Sequence, residues 1–215
     1  MKFLTLQAIT FFSTLTAAFP LTLLSRDFSS TIQNDLTNGS PCKKVSLIFA
    51  RGTTESGNMG RAVGPPLATE LGKAIGGAAN LAVQGVDYAA SWAGALQGGD
   101  AAGSQKMAQL TRDAVARCPQ TQVVLAGYSQ GAQLVHNAAM MLDTATASKI
   151  KAVTVFGDPK QKEPVANVNQ ANVKKYCHQG DQVCEAGTAV ITPTHLNYNI
   201  DAPDAAAFIK ARVVV

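Results

Sequence analysis

The chain has 215 residues, of which 47% are hydrophobic and 15% are charged, and its formal net charge is +4. This composition supports a sizeable core and argues against disorder, and the length suits one domain behind a short N-terminal segment. The basic residues form scattered pairs without interleaved aromatic residues, so we do not expect nucleic-acid binding.

The N-terminus has the features of a secretory signal peptide. Lys2 precedes an apolar run over residues 3–12, and the small residues Thr16-Ala17-Ala18 offer a cleavage site. Because the run is short and interrupted by polar residues, we expect no transmembrane segment. We predict a signal peptide over residues 1–18, a flexible leader or propeptide over 19–38, a single domain over 39–215, and an extracellular location.

Strands and helices alternate along the rest of the chain. The predicted strands span residues 45–50, 81–86, 121–126, 150–156 and 173–176, and the predicted helices span residues 65–75, 104–117, 132–142 and 203–213. Residues 85–103 are rich in Gly and Ala and are predicted to form a loop. This alternation predicts an α/β fold with a small, mainly parallel five-stranded sheet covered on both faces.

Four cysteines in a secreted chain suggest two disulfides, for which three pairings exist. Cys177 and Cys184 enclose a short loop. Cys42 and Cys118 each precede a predicted strand, and the starts of parallel strands lie at one end of a sheet. We therefore favour the pairs Cys42–Cys118 and Cys177–Cys184.

A Gly-x-Ser-x-Gly motif, Gly127-Tyr128-Ser129-Gln130-Gly131, joins a predicted strand to a predicted helix. Small flanking residues permit a sharp turn that exposes the serine hydroxyl, as in the nucleophile turn of α/β-hydrolases. The alternative is an ordinary glycine-rich turn. The motif predicts Ser129 as the nucleophile of a single-domain, three-layer sandwich of the α/β-hydrolase type, and no segment is long enough for a helical lid.

A serine nucleophile needs a general base, and the chain offers three histidines. His136 lies two turns along the helix that follows Ser129, which favours a packing or surface role. His178 has few acidic residues ahead of it that could orient it: Asp143, Asp158 or Glu163. His195 is therefore the predicted base.

Asp181 precedes His195 and lies between Cys177 and Cys184. The order Ser129, Asp181, His195 is that of α/β-hydrolases, so Asp181 is predicted to orient the imidazole. The alternative for Asp181 is a loop-capping role.

An oxyanion hole needs two donors, and the first predicted donor is the backbone N–H of Gln130. The second is Thr53, directly after the first strand, which offers its N–H and its hydroxyl. A turn-capping role is the alternative for Thr53.

Four motifs occur in one order along the chain: Ala50-Arg51-Gly52-Thr53-Thr54-Glu55, Gly127-Tyr128-Ser129-Gln130-Gly131, Cys177-His178-Gln179-Gly180-Asp181-Gln182-Val183-Cys184 and His195-Leu196-Asn197-Tyr198. From about residue 42 to residue 210 the chain resembles the fungal cutinases, small serine esterases that cleave the polyester of plant cuticle. The resemblance implies catalysis by Ser129, Asp181 and His195, with an oxyanion hole from Thr53 and Gln130. It also implies the two disulfides favoured above.

The resemblance further places the loops 87–96 and 189–196 around the serine. Their apolar side chains would form a rim for an acyl chain or a waxy surface: Trp92, Ala189, Val190, Ile191 and Leu196. The alternative is a buried strand containing Val190 and Ile191.

The expected function is that of a secreted serine esterase that hydrolyses cutin and short-chain carboxylic esters through an acyl-enzyme. The alternatives are an acetylxylan esterase and a non-catalytic secreted host-recognition protein on an esterase scaffold. We expect no cofactor, and no metal because the histidines lack ligand spacing. The partner is the ester substrate surface, and we expect a monomer.

Overall fold

The computed structural model describes residues 27–215, so the predicted signal peptide over residues 1–18 lies outside the described residues. The strands are β1 Val45–Ala50, β2 Leu81–Gly85, β3 Gln122–Tyr128, β4 Ile150–Phe156 and β5 Val173–Tyr176. The α-helices are α1 Gly64–Ala74, α2 Trp92–Leu96, α3 Ala101–Arg117, α4 Gln130–Met140, α5 Thr144–Ala147, α6 Gln182–Ala186 and α7 Ala202–Lys210. Short 3-10 turns lie at Gly77–Ala79, Gln170–Asn172, Pro193–Leu196 and Tyr198–Asp201.

The five strands form one parallel sheet in the order β2-β1-β3-β4-β5. This confirms the predicted α/β-hydrolase type of sandwich. Because all strands run in one direction, the residues that follow β1, β3 and β4 meet at one edge of the sheet. Thr53, Ser129 and Gly157 lie on these three connections.

Helices cover both faces of the sheet, and the residues of β1 alternate between them. Leu47 and Phe49 pack into the core beneath α1 and α7, whereas Ile48 and Ala50 pack toward α3 and α4. Every residue of β1 is buried, as expected for a central strand covered on both faces.

The prediction of a loop over residues 85–103 is wrong in part. Residues 92–96 form α2, which Ser91 caps by accepting a hydrogen bond from the N–H of Gly94 (3.2 Å). Helix α3 begins at Ala101, because the Asp100 carboxylate caps it through the N–H of Gly103 (2.6 Å). Serine and aspartate are strong N-cap residues, so these caps were the missed signal.

The prediction of a flexible leader is also wrong for its described part, residues 27–38. Phe28 is buried beside Gly72, and the Asp35 carboxylate accepts a hydrogen bond from the N–H of Val83 in β2 (2.7 Å). The Arg117 guanidinium donates to the carbonyl of Leu36 (2.7 Å). This segment covers the β2 edge of the sheet and belongs to the folded body.

Both favoured disulfides are present, Cys42–Cys118 and Cys177–Cys184. The first joins the segment before β1 to the end of α3, and the second closes the loop that carries Asp181. Within residues 27–215, no helix has the length and apolar character needed to cross a membrane.

Candidate active site

Ser129 occupies the sharp turn between β3 and α4. Its φ is 55°, a backbone angle that residues other than glycine rarely adopt. The turn is crowded: a Cβ on Gly131 would lie 2.0 Å from the carbonyl oxygen of Ala50, and one on Gly127 would lie 2.3 Å from that of Gly131. The N–H of Ser129 donates to the carbonyl of Phe156 in β4 (2.9 Å). Both motif glycines are therefore required by close packing, and the turn is held to the sheet.

The structure brings Ser129, His195 and Asp181 together at the carboxyl edge of the sheet. His195 Nε2 lies 3.0 Å from Ser129 Oγ, and His195 Nδ1 lies 2.9 Å from Asp181 Oδ2. Asp181 and His195 are buried, and Ser129 is 9% exposed. A proton on Nδ1 held by the carboxylate leaves Nε2 free to accept the serine proton, which is the geometry of a hydrolytic triad.

Two further hydrogen bonds hold Asp181, and a disulfide sulfur lies beside it. Its Oδ1 caps α6 by accepting the N–H of Val183 (3.0 Å), and its Oδ2 also accepts the hydroxyl of Tyr198 (2.6 Å). Cys184 Sγ lies 3.2 Å from Oδ2. Burial and the hydrogen bond to Asp181 raise the pKa of Tyr198, which keeps its hydroxyl a donor to the carboxylate.

The imidazole of His195 rests against Gly157, where a Cβ would lie 2.7 Å from Cε1. The Tyr128 hydroxyl donates to the His195 carbonyl (2.8 Å), and the two rings lie 5.2 Å apart. Tyr128 and Tyr198 are thus supporting residues that sequence reasoning missed, although both lie inside the recognised motifs.

Thr53 and Gln130 face the same cavity as Ser129. Gln130 is the first residue of α4, so its N–H has no carbonyl partner one turn earlier within the helix. The Gln130 side-chain amide donates to Thr53 Oγ1 (2.9 Å). Because Thr53 Oγ1 accepts this bond, its own O–H remains available to donate to a negatively charged oxygen near Ser129.

The loop that carries Thr53 is held by Glu55 and Arg51. The Glu55 carboxylate accepts the N–H groups of Gly52, Arg61 and Ala62, each at 2.8 Å. The buried Arg51 guanidinium donates to the carbonyls of Glu55 and Tyr88, each at 2.6 Å. Neither residue was predicted, and both were visible only as members of the motif after β1.

A cavity of about 230 Å³ opens beside Ser129. Of the predicted rim residues, Trp92, Ala189 and Ile191 line it, as do Leu96, Gln133 and Lys160. Val190 and Leu196 are 58% and 59% exposed and do not line it. Residues 189–192 do not form a strand, so the buried-strand alternative is wrong.

Comparison with known proteins gives the family. The profile of the cutinase family matches residues 41–213. The chain belongs to the cutinase family.

A cutinase from Botryotinia fuckeliana is 46% identical over 169 residues, covering 79% of this chain and 83% of the relative. One from Monilinia fructicola is 47% identical with the same coverage. The structure of Trichoderma reesei cutinase in complex with a C11Y4 phosphonate inhibitor is 43% identical, with a TM-score of 0.80 and coverage of 87% of this chain and 82% of that one. This member of the cutinase family is a carboxylic ester hydrolase.

More distant cutinase-like folds include the catalytic core of a Trichoderma reesei acetyl xylan esterase. That structure is 23% identical with a TM-score of 0.61, covering 80% of this chain and all of the other. At this identity the likeness shows a shared fold.

His136 of this cutinase-family chain is buried, as a packing histidine is expected to be, and it contacts the buried carboxylate of Asp158. Its Nε2 lies 2.9 Å from Asp158 Oδ2, and Lys175 Nζ lies 3.3 Å from the same oxygen. Burial raises the pKa of Asp158, but the hydrogen bond from His136 and the charges of His136 and Lys175 outweigh burial, so the pKa lies below its ordinary value. The cluster anchors the loop after β4.

The side chain of His178 contacts a carboxylate other than that of Asp181. Its Nε2 lies 2.7 Å from Asp201 Oδ2, and its ring stacks on Tyr198 at 4.1 Å. Burial lowers the pKa of His178, but hydrogen bonds to Asn197 and Asp201 and the Asp201 charge raise it above its ordinary value overall. None of the three acids considered from sequence orients His178. No group of three or more His, Cys, Asp or Glu suited to a metal ion occurs in residues 27–215.

The substitution Asp158→Asn is expected to lower the free energy of unfolding by about 3 kcal/mol at pH 7, because it removes the counter-charge of Lys175, whose side chain is only 14% exposed. The pKa of Asp158 is lowered from 3.8 in the folded chain. Its charge therefore stabilises the fold fully above the unfolded-state pKa, and this contribution is lost as the pH falls through the folded-state pKa. The difference between wild type and variant should shrink below about pH 4.

Urea unfolding at several pH values measures this difference. Asp113→Asn is the matched control, because Asp113 is an exposed aspartate on α3 that accepts a hydrogen bond from Gln109. A loss of stability in Asp158→Asn that is equal at pH 3 and pH 7 would contradict the ionic role of Asp158.

Proposed function

We propose that this chain is a secreted serine esterase that hydrolyses cutin and short-chain carboxylic esters through an acyl-enzyme. The observation that carries the proposal is the chain of hydrogen bonds from Ser129 through His195 to Asp181. Its Ser129 end opens into a cleft that is lined in part by apolar side chains.

In the acylation step, Ser129 Oγ attacks the ester carbonyl carbon while His195 Nε2 takes the hydroxyl proton. The carbonyl π electrons move to oxygen, and this oxyanion accepts hydrogen bonds from the N–H groups of Thr53 and Gln130 and from the Thr53 hydroxyl. The carbon–oxygen bond to the alcohol then breaks, and His195 delivers the proton to the leaving oxygen. The acyl group remains on Ser129.

Deacylation runs through the same groups. Water attacks the acyl carbon while His195 Nε2 takes one of its protons, and the second tetrahedral intermediate is held by the same donors. Collapse releases the carboxylic acid, and the proton returns to Ser129 Oγ. In both halves the Asp181 carboxylate holds the Nδ1 proton and stabilises the imidazolium.

The surface around the cleft supports a waxy polyester as substrate. Exposed apolar side chains lie at its mouth and beside His195: Trp92, Leu96, Val190, Ile191 and Leu196. Contiguous exposed apolar surface is a feature of interaction sites. The related Trichoderma reesei cutinase has been solved with a phosphonate inhibitor, and phosphorus in a phosphonate is tetrahedral, like the carbon of the intermediate. We expect such a compound to react with Ser129 here.

Secretion is supported by the signal-like N-terminus and by two disulfides, which persist in oxidising compartments. We propose that the enzyme acts as a monomer on the substrate surface.

Rates on three substrates test the proposal: p-nitrophenyl butyrate, cutin and acetylated xylan. We expect hydrolysis of the first two, with release of hydroxy fatty acids from cutin, and little release of acetate from xylan. Acetate release from xylan that exceeds release from cutin at matched ester concentration would favour an acetylxylan esterase. Absence of hydrolysis of all three would favour the non-catalytic alternative.

A further inference from the structure

Three side-chain amides on one face of α4 hold the segment 91–98, which contains α2. Each amide nitrogen donates to one backbone carbonyl of the segment: Gln130 to Ser91 (2.9 Å), Gln133 to Ala95 (3.2 Å) and Asn137 to Gly98 (3.1 Å). The spacing of these residues keeps them on one side of the helix. The segment carries Trp92 and Leu96, which line the cleft beside Ser129.

The segment lies directly on α4 at Gly94, and so does Gly99, the residue that follows the segment. A Cβ on Gly94 would lie 2.7 Å from Gln130 Oε1, and a Cβ on Gly99 would lie 2.9 Å from Gln133 Cβ. Gly99 also has a φ of 110°, a conformation that favours glycine. This wall of the cleft is therefore set by the surface of α4.

Gln133 differs from the other two residues because its side-chain amide makes a hydrogen bond to segment 91–98 alone. The Gln130 side chain also donates to Thr53, and the Asn137 side chain also contacts Ser104 and Lys160. The Gln133 side chain is buried and lines the cleft, and its amide nitrogen donates to the carbonyl of Ala95. Within residues 27–215 its Oε1 has no hydrogen-bond partner.

The opposite wall, residues 188–192, is held by hydrogen bonds to residues 180–195, including one from Thr192 Oγ1 to the carbonyl of Gly180 (3.0 Å). Thr188 Oγ1 donates to the carbonyl of Gln182 (3.1 Å), and the N–H of Val190 reaches Thr188 Oγ1 at 3.4 Å. Val190 and Ile191 are 58% and 41% exposed. Of the two walls, the one that α4 holds is the better placed to define the width of the cleft.

We infer that Gln133 is a positioning residue that determines acyl-chain specificity. It fixes the carbonyl of Ala95, and with it Trp92 and Leu96, at a set distance from Ser129, so acyl groups are selected by their fit against this wall. The inference rests on the proposed function, because it assigns the cleft to the acyl group of the ester.

The variant Gln133→Met tests the inference, because methionine is of similar length and cannot donate to Ala95. Trp92 is the only tryptophan of the chain, so its fluorescence reports on the segment directly. We expect acrylamide to quench Trp92 more strongly in the variant. We also expect a change across p-nitrophenyl esters from acetate to dodecanoate. The ratio between the highest and the lowest kcat/KM of the series should be about five-fold smaller in the variant, as the loss of one hydrogen bond predicts. The change should lie in KM rather than in kcat.

Gln109→Met is the matched control, because Gln109 lies on the exposed face of α3 and donates to Asp113. It should leave both quenching and chain-length profile unchanged. Unchanged quenching in a folded Gln133→Met variant would overturn the positioning role. Stronger quenching with an unchanged dependence of kcat/KM on acyl-chain length would overturn the specificity role and count against this cleft as the acyl site. That result would leave the proposed function intact, because hydrolysis would still depend on Ser129.

Hydrogen exchange on the unmodified protein tests the same inference without a variant. The N–H groups of Gln97, Gly98 and Gly99 donate to carbonyls within the segment. If α4 holds this wall, they should exchange more slowly than the amides of residues 189–192. Equal exchange at both walls would contradict a fixed wall at residues 91–98.

Discussion

Ser129→Ala is expected to lower kcat for p-nitrophenyl butyrate on the order of 10⁵-fold, with KM changed little. The substitution removes the nucleophilic oxygen but leaves the N–H groups of Thr53 and Gln130, which can still bind an oxyanion. Residual hydrolysis then proceeds by direct attack of water. The fold should persist, because alanine is smaller than serine and the side chain of Ser129 contributes no capping bond to α4.

Mass spectrometry with a phosphonate ester gives a second readout. Wild type should gain the mass of one phosphonyl group on Ser129, and Ser129→Ala should gain none. Ser148→Ala is the control, since Ser148 is exposed and its hydroxyl bonds only the nearby carbonyl of Ala145. Activity of Ser129→Ala within ten-fold of wild type would contradict the nucleophile assignment.

Asp181→Asn is expected to lower kcat about 10⁴-fold with little effect on KM. The N–H of Val183 donates to Oδ1, so the asparagine oxygen occupies that position and its NH₂ takes the place of Oδ2. The NH₂ then faces His195 Nδ1, which must become an acceptor, and the imidazole proton moves to Nε2. In that tautomer His195 cannot accept the proton of Ser129.

Tyr198→Phe distinguishes the charge of the Asp181 carboxylate from the hydrogen bond that its Oδ2 accepts from Tyr198. It removes the hydroxyl that donates to Asp181 Oδ2 but keeps the carboxylate, so we expect a loss in kcat of only about ten-fold. Steady-state kinetics on both variants, with circular dichroism to verify folding, provide the measurement. Equal losses in the two variants would contradict a tautomer-fixing role for Asp181.

Much of the site was predictable because its signals are local. The Gly-x-Ser-x-Gly turn requires small flanks, and Gly131 indeed approaches Ala50 within a distance that excludes a side chain. The order of Ser129, Asp181 and His195 along the chain, with the disulfide around Asp181, was sufficient to select these three residues from the available acids and histidines.

The missed features depend on contacts between segments far apart in sequence. Helix α2 is five residues long, rich in Ala and Gly, and is held by amides of α4 that lie about 40 residues further on. The residues around Asp35 resemble a leader in composition, yet pair with β2. Tyr198 is buried and donates to Asp181, a role that no spacing rule assigns.

The sequence by itself determined the parallel α/β arrangement, the sharp turn at Ser129, and which acid and histidine lie beside that serine. These follow from strand and helix periodicity, from glycine sterics and from the chemistry of serine, aspartate and histidine. Only the tertiary structure decided which side chains hold these groups in place and how the cleft is walled. The hydrogen bonds from Tyr198, Tyr128 and Gln133 exist because the sheet and helices bring distant backbone and side-chain atoms within bonding distance.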